Sequence, residues 1–428
     1  MTDEACRARV QFADRTQTGF CVTDLESLLP RDHPARSVWA YVEGLDLSPW
    51  YEAIRAVEGH AGRDAIDPRI LTALWMYATL DGVGSARRLD ALCDSHTVYQ
   101  WIRGGVGVNY HTLSDFRTER VEALDELLSH SVAVLMEQGL VTLNTVAQDG
   151  KRVRASAGAS SYRRRPSLKR RLQEAQAQVR ALKQELEEDP SAATRRERAA
   201  QERAARERVE RVKRAIERSK HLQNKAAGPK SKKAPEHVRV STTDPEMPVM
   251  KMADGGFRPA VNVQFATDVD SGIIVGVSAV NTSDAEQLKP MHEQLFARYG
   301  KLPNNTLADG LYATRDAITT LAKKGVTVYA PVRTPKDPEK YSAHQRRWGD
   351  SDAYAEFRQR METDEAKELY RKRASTAEWV NAQAANRGLS RITVRGLIKA
   401  KAIALWHALT HNLQRTITLH TDLAEVTV

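Results

Sequence analysis

Three carboxylates in this 428-residue chain fall where the residue pattern changes. Asp149 closes the apolar run of TVAQDGKRVRASAG, Asp309 follows NNTLA, and Glu378 lies in the helical stretch METDEAKELYRKRASTAEWVNAQAANRG. Carboxylates crowded together do not all stay ionised unless a cation neutralises them. Two hard divalent ions about 3.5–4 Å apart do so, one activating water or a 3′-hydroxyl while the other steadies the departing oxygen of an in-line displacement at phosphorus. The chemistry expected of such a triad is metal-dependent phosphodiester cleavage or transfer, with a pair of Mg2+ ions as the natural cofactor and Mn2+ as a substitute. Lys151 and Arg152, beside Asp149, are expected to position the phosphate backbone. Tyr370 and Arg373 lie on adjoining helical rows, with Glu378 within about 140° of both at about 100° per residue. Arginine forks onto phosphate and tyrosine donates to it. The plainer readings are turn dipeptides at Asp149-Gly150 and Asp309-Gly310, a surface glutamate, and a local ion pair among Glu368, Arg371 and Arg373.

Bringing the three acids together makes demands on the fold. The pattern predicts a strand through Val141, Leu143, Thr145 and Ala147 that stops at Asp149-Gly150. A hairpin follows later in RPAVNVQFATDVDSGIIVGVSAV, then helix, strand, helix, strand, a polar loop over about 335–360, and helices to the end. Such an order suits a mixed sheet flanked by helices, an α+β arrangement. If the first strand neighbours the strand before Asp309, both acids emerge at one sheet edge, and a helix packed across that edge delivers Glu378. The final helix is expected to pack through Ile398, Ala402, Leu405, Leu409 and Leu413.

Residues 30–140 read as helices. Asp67 and Pro68 start one that Gly82 and Gly84 end, and a later one over HTLSDFRTERVEALDELLSHSVAVLMEQG has Thr112 or Ser114 as cap and Gly139 as stop. Arg87, Arg88, Arg117 and Arg120, taken as exposed, could dock on DNA in helix-turn-helix fashion, although a plain helical bundle yields the same pattern. Between the first strand and the hairpin, Leu168, Leu172, Ala175, Val179, Leu182 and Leu186 are spaced as a coiled-coil seam. Asp189-Pro190 breaks it, and Ala205, Val209, Val212 and Ile216 resume it, predicting two antiparallel helices. Residues 163–233 carry 23 Lys and Arg against 10 Asp and Glu, leaving 42 against 45 elsewhere, so this one segment supplies the excess of the +10 chain. Phosphate contact and a solvated helical face both fit.

Other classes find little support. Cys6, Cys21 and Cys93 form no CxxC pair, which argues against a disulfide framework or zinc knuckle and for a reducing cytoplasm. No signal pattern or apolar run of about 20 residues is visible, so a protein retained inside the cell is expected. His407 and His411 have the spacing of a metal pair but no intervening glutamate, and read as packing residues. GGVGVN at 104–109 opens onto no Walker lysine.

Over most of its length the chain resembles bacterial insertion-sequence transposases of the DDE class, the group with a helical amino-terminal domain and a long insertion after the first catalytic strand. DHPARSVWAYVEGLDLS, GRDAIDPRILTALWMYATLDGVGSARRLDALC, YHTLSDFR, VAQDGKRVRASAG, STTDPEMPVMKMADGGFRPAVNVQFATD, LADGLY, YRKRASTAEW and VRGLIKAKAIALWHALTHNL carry the resemblance. It implies an RNase H-like core in which Asp149, Asp309 and Glu378 match the family's acids and Tyr370 and Arg373 its accessory pair. The implied domains are a helical DNA-binding domain (1–138), a catalytic domain (139–162 and 237–428) and a basic coiled-coil insertion with its linker (163–236). The implied function is binding of terminal inverted repeats, strand cleavage and transfer to target DNA, by a homodimer in a bacterial, nucleoid-associated setting. One departure is Ala385, where such enzymes often carry lysine seven residues after the glutamate, with Arg387 and Lys399 as substitutes. A catalytically inactive transposase-derived DNA-binding protein and a coiled-coil interaction protein are the rival readings.

Overall fold

The computed structural model describes residues 24–54, 64–188, 192–228, 234–335, 337 and 342–426. Seven helices come first: α1 (Pro34–Glu43), α2 (Ser48–Glu52), α3 (Pro68–Leu80), α4 (Ala86–Ser95), α5 (Thr97–Arg103), α6 (Tyr110–Glu119) and α7 (Val121–Glu137). Capping sets their ends. Asp67 accepts the Arg69 N–H at 2.8 Å with Pro68 at the first helical position, and Gly82, at φ +70°, lets the chain turn after α3. Where one long helix was expected there are two. Asn109, not Thr112 or Ser114, caps α6 by accepting from His111 and Thr112, and Arg120 leaves helical geometry at φ −120° and ψ 59° before α7 starts. Arg117 is also not the exposed cation expected. It is buried, lies 4.4 Å over the Trp75 ring and donates to the Gly84 carbonyl at 2.7 Å. Arg120 is half-buried and donates to the Pro49 carbonyl, while Arg87 and Arg88 are exposed.

Strand β1 (Thr145–Arg154) continues five residues past Asp149. Asp149-Gly150 is therefore no turn, because both residues stay paired to the next long strand, opposite Phe265 and Gln264. After β2 (Tyr162–Arg163), α8 (Arg165–Glu188) and α9 (Ala192–Ala226) pack along Leu168, Ala175, Ala205, Val209 and Val212. Their direction is antiparallel, since Gln178 meets Arg208 and Arg165 meets Gln223. Asp189 and Pro190 lie outside the described residues, as do 229–233 of the basic linker. The excursion returns through β3 (Val240–Ser241), which pairs with β2.

The main sheet adds β4 (Val249–Lys251), β5 (Phe257–Asp268), β6 (Ile274–Val280), β7 (Asn305–Leu307) and β8 (Thr327–Tyr329). β6, β5 and β1 are antiparallel, β7 and β8 run parallel to β1, and β4 pairs with the start of β5. Helices α10 (Leu288–Tyr299), α11 (Arg315–Ala322), α12 (Asp352–Arg360), α13 (Asp364–Arg373), α14 (Trp379–Asn386) and α15 (Leu397–Val426) surround it. This is the α+β fold with mixed sheet and helical insertion that the resemblance implies. α12 occupies part of the expected polar loop, because Ser351 caps it and its Tyr354 and Phe357 are buried. One apolar cluster runs from Trp75 and Leu113 through Val263 and Ile274 to Leu405 and Leu409 of α15, so the leading helices and one sheet face share a core. Ile398 stands outside it at 68% exposure, although Ala402 and Leu413 are buried as expected.

His407 and His411 belong to that core. Burial, with Arg387 and Arg117 nearby, pushes the His407 pKa down to about 3. Burial likewise takes His411 to about 4, opposed by its 2.9 Å contact with the Gly272 carbonyl. Both values lie below the ordinary 6.5, so the unfolded chain binds protons that the folded one refuses. This stability is complete above about pH 6.5 and is lost as pH falls toward the folded values. The thermal midpoint followed by circular dichroism should drop between about pH 7 and about pH 5, and drop less in His407→Met.

Candidate active site

β1 and β7 set the first two acids. They run parallel with Ala147 opposite Leu307, and Asp149 and Asp309 each follow by two residues. Ala377 packs into the same small cluster as Ala147 and Leu307, seating the segment before Glu378 on these strands. Asp309 is exposed, and its Oδ1 accepts the Gly310 N–H at 2.6 Å. At Gly310 a Cβ would lie 2.9 Å from the Pro331 carbonyl oxygen, so only glycine fits as drawn.

The helix carrying Glu378 is not uniform. Between α13 and α14, residues Ala374–Glu378 form a π turn, which takes one residue more than an α turn. Ser375 and Thr376 hydroxyls donate to the Lys372 carbonyl at 3.0 and 2.8 Å, occupying an acceptor at the start of the widened turn. The about 140° separation expected for regular α-helix is thereby closed. Arg373 Nη1 lies 2.7 Å from Glu378 Oε1, and Arg373 Nη2 lies 3.0 Å from Asp149 Oδ1.

One guanidinium thus bridges two of the three predicted acids. Asp149 sits deep, its side chain 18% exposed, whereas Glu378 is open at 56%. Asn381, one turn beyond Glu378, donates to the other Asp149 oxygen at 3.0 Å. Burial raises the Asp149 pKa above its ordinary 3.8, and Arg373, the Gly150 N–H and Asn381 oppose the rise. Burial works against the Arg373 charge, but Asp149, Tyr370 and Glu378 outweigh it and hold its pKa up. The Tyr370 hydroxyl is raised by burial and feels Arg373, Asp309 and Glu378. Lys151 is half-buried, its pKa lowered by burial and partly restored by Asp149.

Arg152 takes the other face of β1. It donates to the Lys251 carbonyl at 2.6 Å and lies 3.7 Å from Asp284, so it is not presented beside Asp149 as expected. On that face Asp284 Oδ1 accepts from Asn262 at 2.7 Å, Gln264 at 2.8 Å and the Tyr312 hydroxyl at 3.3 Å. The network occupies the space over Gly150, where a Cβ would lie 2.2 Å from Gln264 and 2.3 Å from Asp284.

The structure therefore joins Asp149, Arg373 and Glu378, with Tyr370 within electrostatic reach of Asp309. Sequence reasoning missed Asn381, whose signal was its place three residues after Glu378, and Gly150, whose signal was a glycine inside a strand. Of the substitutes for the lysine absent at Ala385, Arg387 hydrogen-bonds to Gln414 of α15, and Lys399 is exposed. Among the described residues no three His, Cys, Asp or Glu side chains stand close enough together to hold a metal, and no helix is long and apolar enough to cross a membrane. The only described cysteine, Cys93, is buried and free.

Comparison with known families gives two matches. A family described as "Transposase DDE domain" matches residues 237–413, which include Asp309, Tyr370, Arg373 and Glu378, while Asp149 precedes it. A family described as "Transposase domain (DUF772)" matches residues 23–119, the stretch containing α1 to α6. No curated protein and no solved structure matches the chain.

Proposed function

We infer, from the premise that this chain belongs to the insertion-sequence DDE transposases, that it binds the terminal inverted repeats of its element, cuts DNA strands there and joins the freed ends to target DNA. The observation that carries this reading is that Asp149 and Asp309 each lie two residues beyond the Ala147–Leu307 pair of adjacent parallel strands, with Glu378 tied to Asp149 through Arg373. Asp149, Asp309 and Glu378 are the residues that would hold divalent metal, on drawing closer together than they stand here. Their donors are hard carboxylate oxygens, suited to Mg2+ or Mn2+, and Arg373 between two of them marks a place that favours positive charge. Bound there, the metal supplies Lewis acidity and an activated water or 3′-hydroxyl.

The chain's own residues prepare that site. Asn381 orients Asp149, and Arg373 neutralises Asp149 and Glu378. Arg373 and Tyr370, on the open side of the site, are the groups that would fork onto and donate to a phosphate. Lys151 adds positive charge near Asp149, and two copies act together because two element ends must be held. The test is incubation of the chain with magnesium and a duplex bearing the inverted repeats that flank its reading frame. Cut and joined products are expected. Binding without cutting would favour the non-catalytic rival.

A further inference from the structure

The basic excess of the helical excursion is concentrated in one place. Arg211, Arg214, Arg218 and His221 follow one another on α9 at steps of three, four and three residues, which stacks them on one helix face. Opposite them stands Arg395, in the turn before α15, and the two sides enclose a cleft of about 510 Å³. Among the described residues the guanidinium groups of Arg214, Arg218 and Arg395 form no ion pair within 4.0 Å. Burial, then Arg395, lowers the Arg211 pKa in spite of its contact with Glu207, so these cations repel one another.

The carboxylates lining the cleft, Glu217, Asp244 and Glu246, offset only part of this charge, Asp244 through its attraction to Arg395. Asp244 accepts the Gly396 N–H at 2.9 Å and Glu246 the Leu397 N–H at 2.6 Å, so both hold the turn that presents Arg395. Glu217, on α9, makes no ion pair among the described residues. A preformed group in which Arg214, Arg218 and Arg395 have no carboxylate within ion-pair distance among the described residues, held open by backbone anchors, is built for an anion with several charged oxygens.

The position relative to the carboxylates narrows the choice. Ile392, three residues before Arg395, donates its N–H to the Arg154 carbonyl at the end of β1, 2.7 Å away. Five residues of strand separate Arg154 from Asp149, roughly 17 Å at about 3.3 Å each. That equals about five nucleotide steps at about 3.4 Å. Arg211 to Arg218 spans about 10 Å at about 1.5 Å per residue, enough to face more than one phosphate of a strand. Resting on the transposase reading, we propose that this cleft grips backbone phosphates of the duplex flanking the scissile position.

The test uses the full chain and a fluorescein-labelled duplex of about 30 base pairs, with binding read by anisotropy over a salt series. Removing three phosphate contacts should reduce the slope of log K against log salt by about 2–3 in the triple variant Arg214→Gln, Arg218→Gln, Arg395→Gln. Taking the same charge from α8, as Lys169→Gln, Arg171→Gln and Lys183→Gln, should leave the slope near wild type. Arg395→Lys should keep the slope of wild type, whereas Arg395→Gln alone should lower it by about 1, which separates charge loss from misfolding. An unchanged slope in the triple variant, or an equal loss in the α8 variant, would overturn the proposal. Magnesium-dependent cutting, measured separately, distinguishes the two readings. A chain that binds with the cleft-dependent slope but never cuts refutes the enzyme and keeps the cleft, while one that cuts although the triple variant binds like wild type refutes the cleft alone.

Discussion

Asp149→Asn should lower strand cleavage by roughly a thousandfold or more while duplex binding changes less than about twofold. The side chain keeps its shape and its oxygen can still accept from Asn381, so what is lost is the negative charge deepest in the site. A thousandfold corresponds to about 4 kcal/mol of transition-state stabilisation, a reasonable weight for a carboxylate that would hold a divalent metal. The variant should remain folded. Burial raises the pKa of Asp149, which means the ionised form is held at a cost to folding, and a neutral amide removes that cost. Arg373 retains Glu378 as a partner. Cleavage at the wild-type rate in Asp149→Asn would remove this residue from the catalytic set.

The second large effect is on stability. Gly150→Ala should destabilise the fold by about 2–4 kcal/mol, seen as a lowered denaturant midpoint. The added methyl meets Gln264 at 2.2 Å and Asp284 at 2.3 Å, and neither can withdraw freely. Gln264 also takes the Tyr312 hydroxyl at 2.6 Å, and Asp284 collects Asn262 and Gln264, so movement of one leaves buried polar groups without partners. In a Gln264→Ala background part of the penalty should vanish, because the closest atom is gone; a double-mutant cycle measures that coupling. Additive losses would show that the strain arises elsewhere. Tyr312 lies three residues after Asp309, so loosening this network should also loosen the loop bearing the second acid.

Much of this layout was legible in the chain because strand order follows from apolar runs and turn residues. That the strands of Asp149 and Asp309 lie together was a condition that element order left open, and the parallel pairing of β1 with β7 meets it. The misreadings share a cause: local chemistry was overruled by partners distant in sequence. Asp-Gly ordinarily turns a chain, but β5 offered hydrogen bonds beyond Gly150 and the strand went on. Arg117 looked like a surface cation until Trp75 supplied a ring to cover it. Arg152 followed strand alternation to the far side, where Asp284 was waiting. The link from Arg373 to Glu378 was hidden because a constant 100° step was assumed across a segment where the step changes. The identity of the acids themselves owed more to resemblance than to spacing, since 55 acidic residues allow many triples.

The wide turn at Ala374–Glu378 makes this segment sensitive to its length as well as to its side chains. A substitution there can leave the bridge to Asp149 standing, but loss of one codon would tighten the coil and swing the carboxylate about 100° around the axis. A single-residue insertion elsewhere in α13 would rotate Tyr370 and Arg373 out of phase with each other or with the strands beneath. Drift in this gene is therefore tolerated as spelling changes and penalised as frame-preserving gaps, so close copies should differ here in letters but not in count.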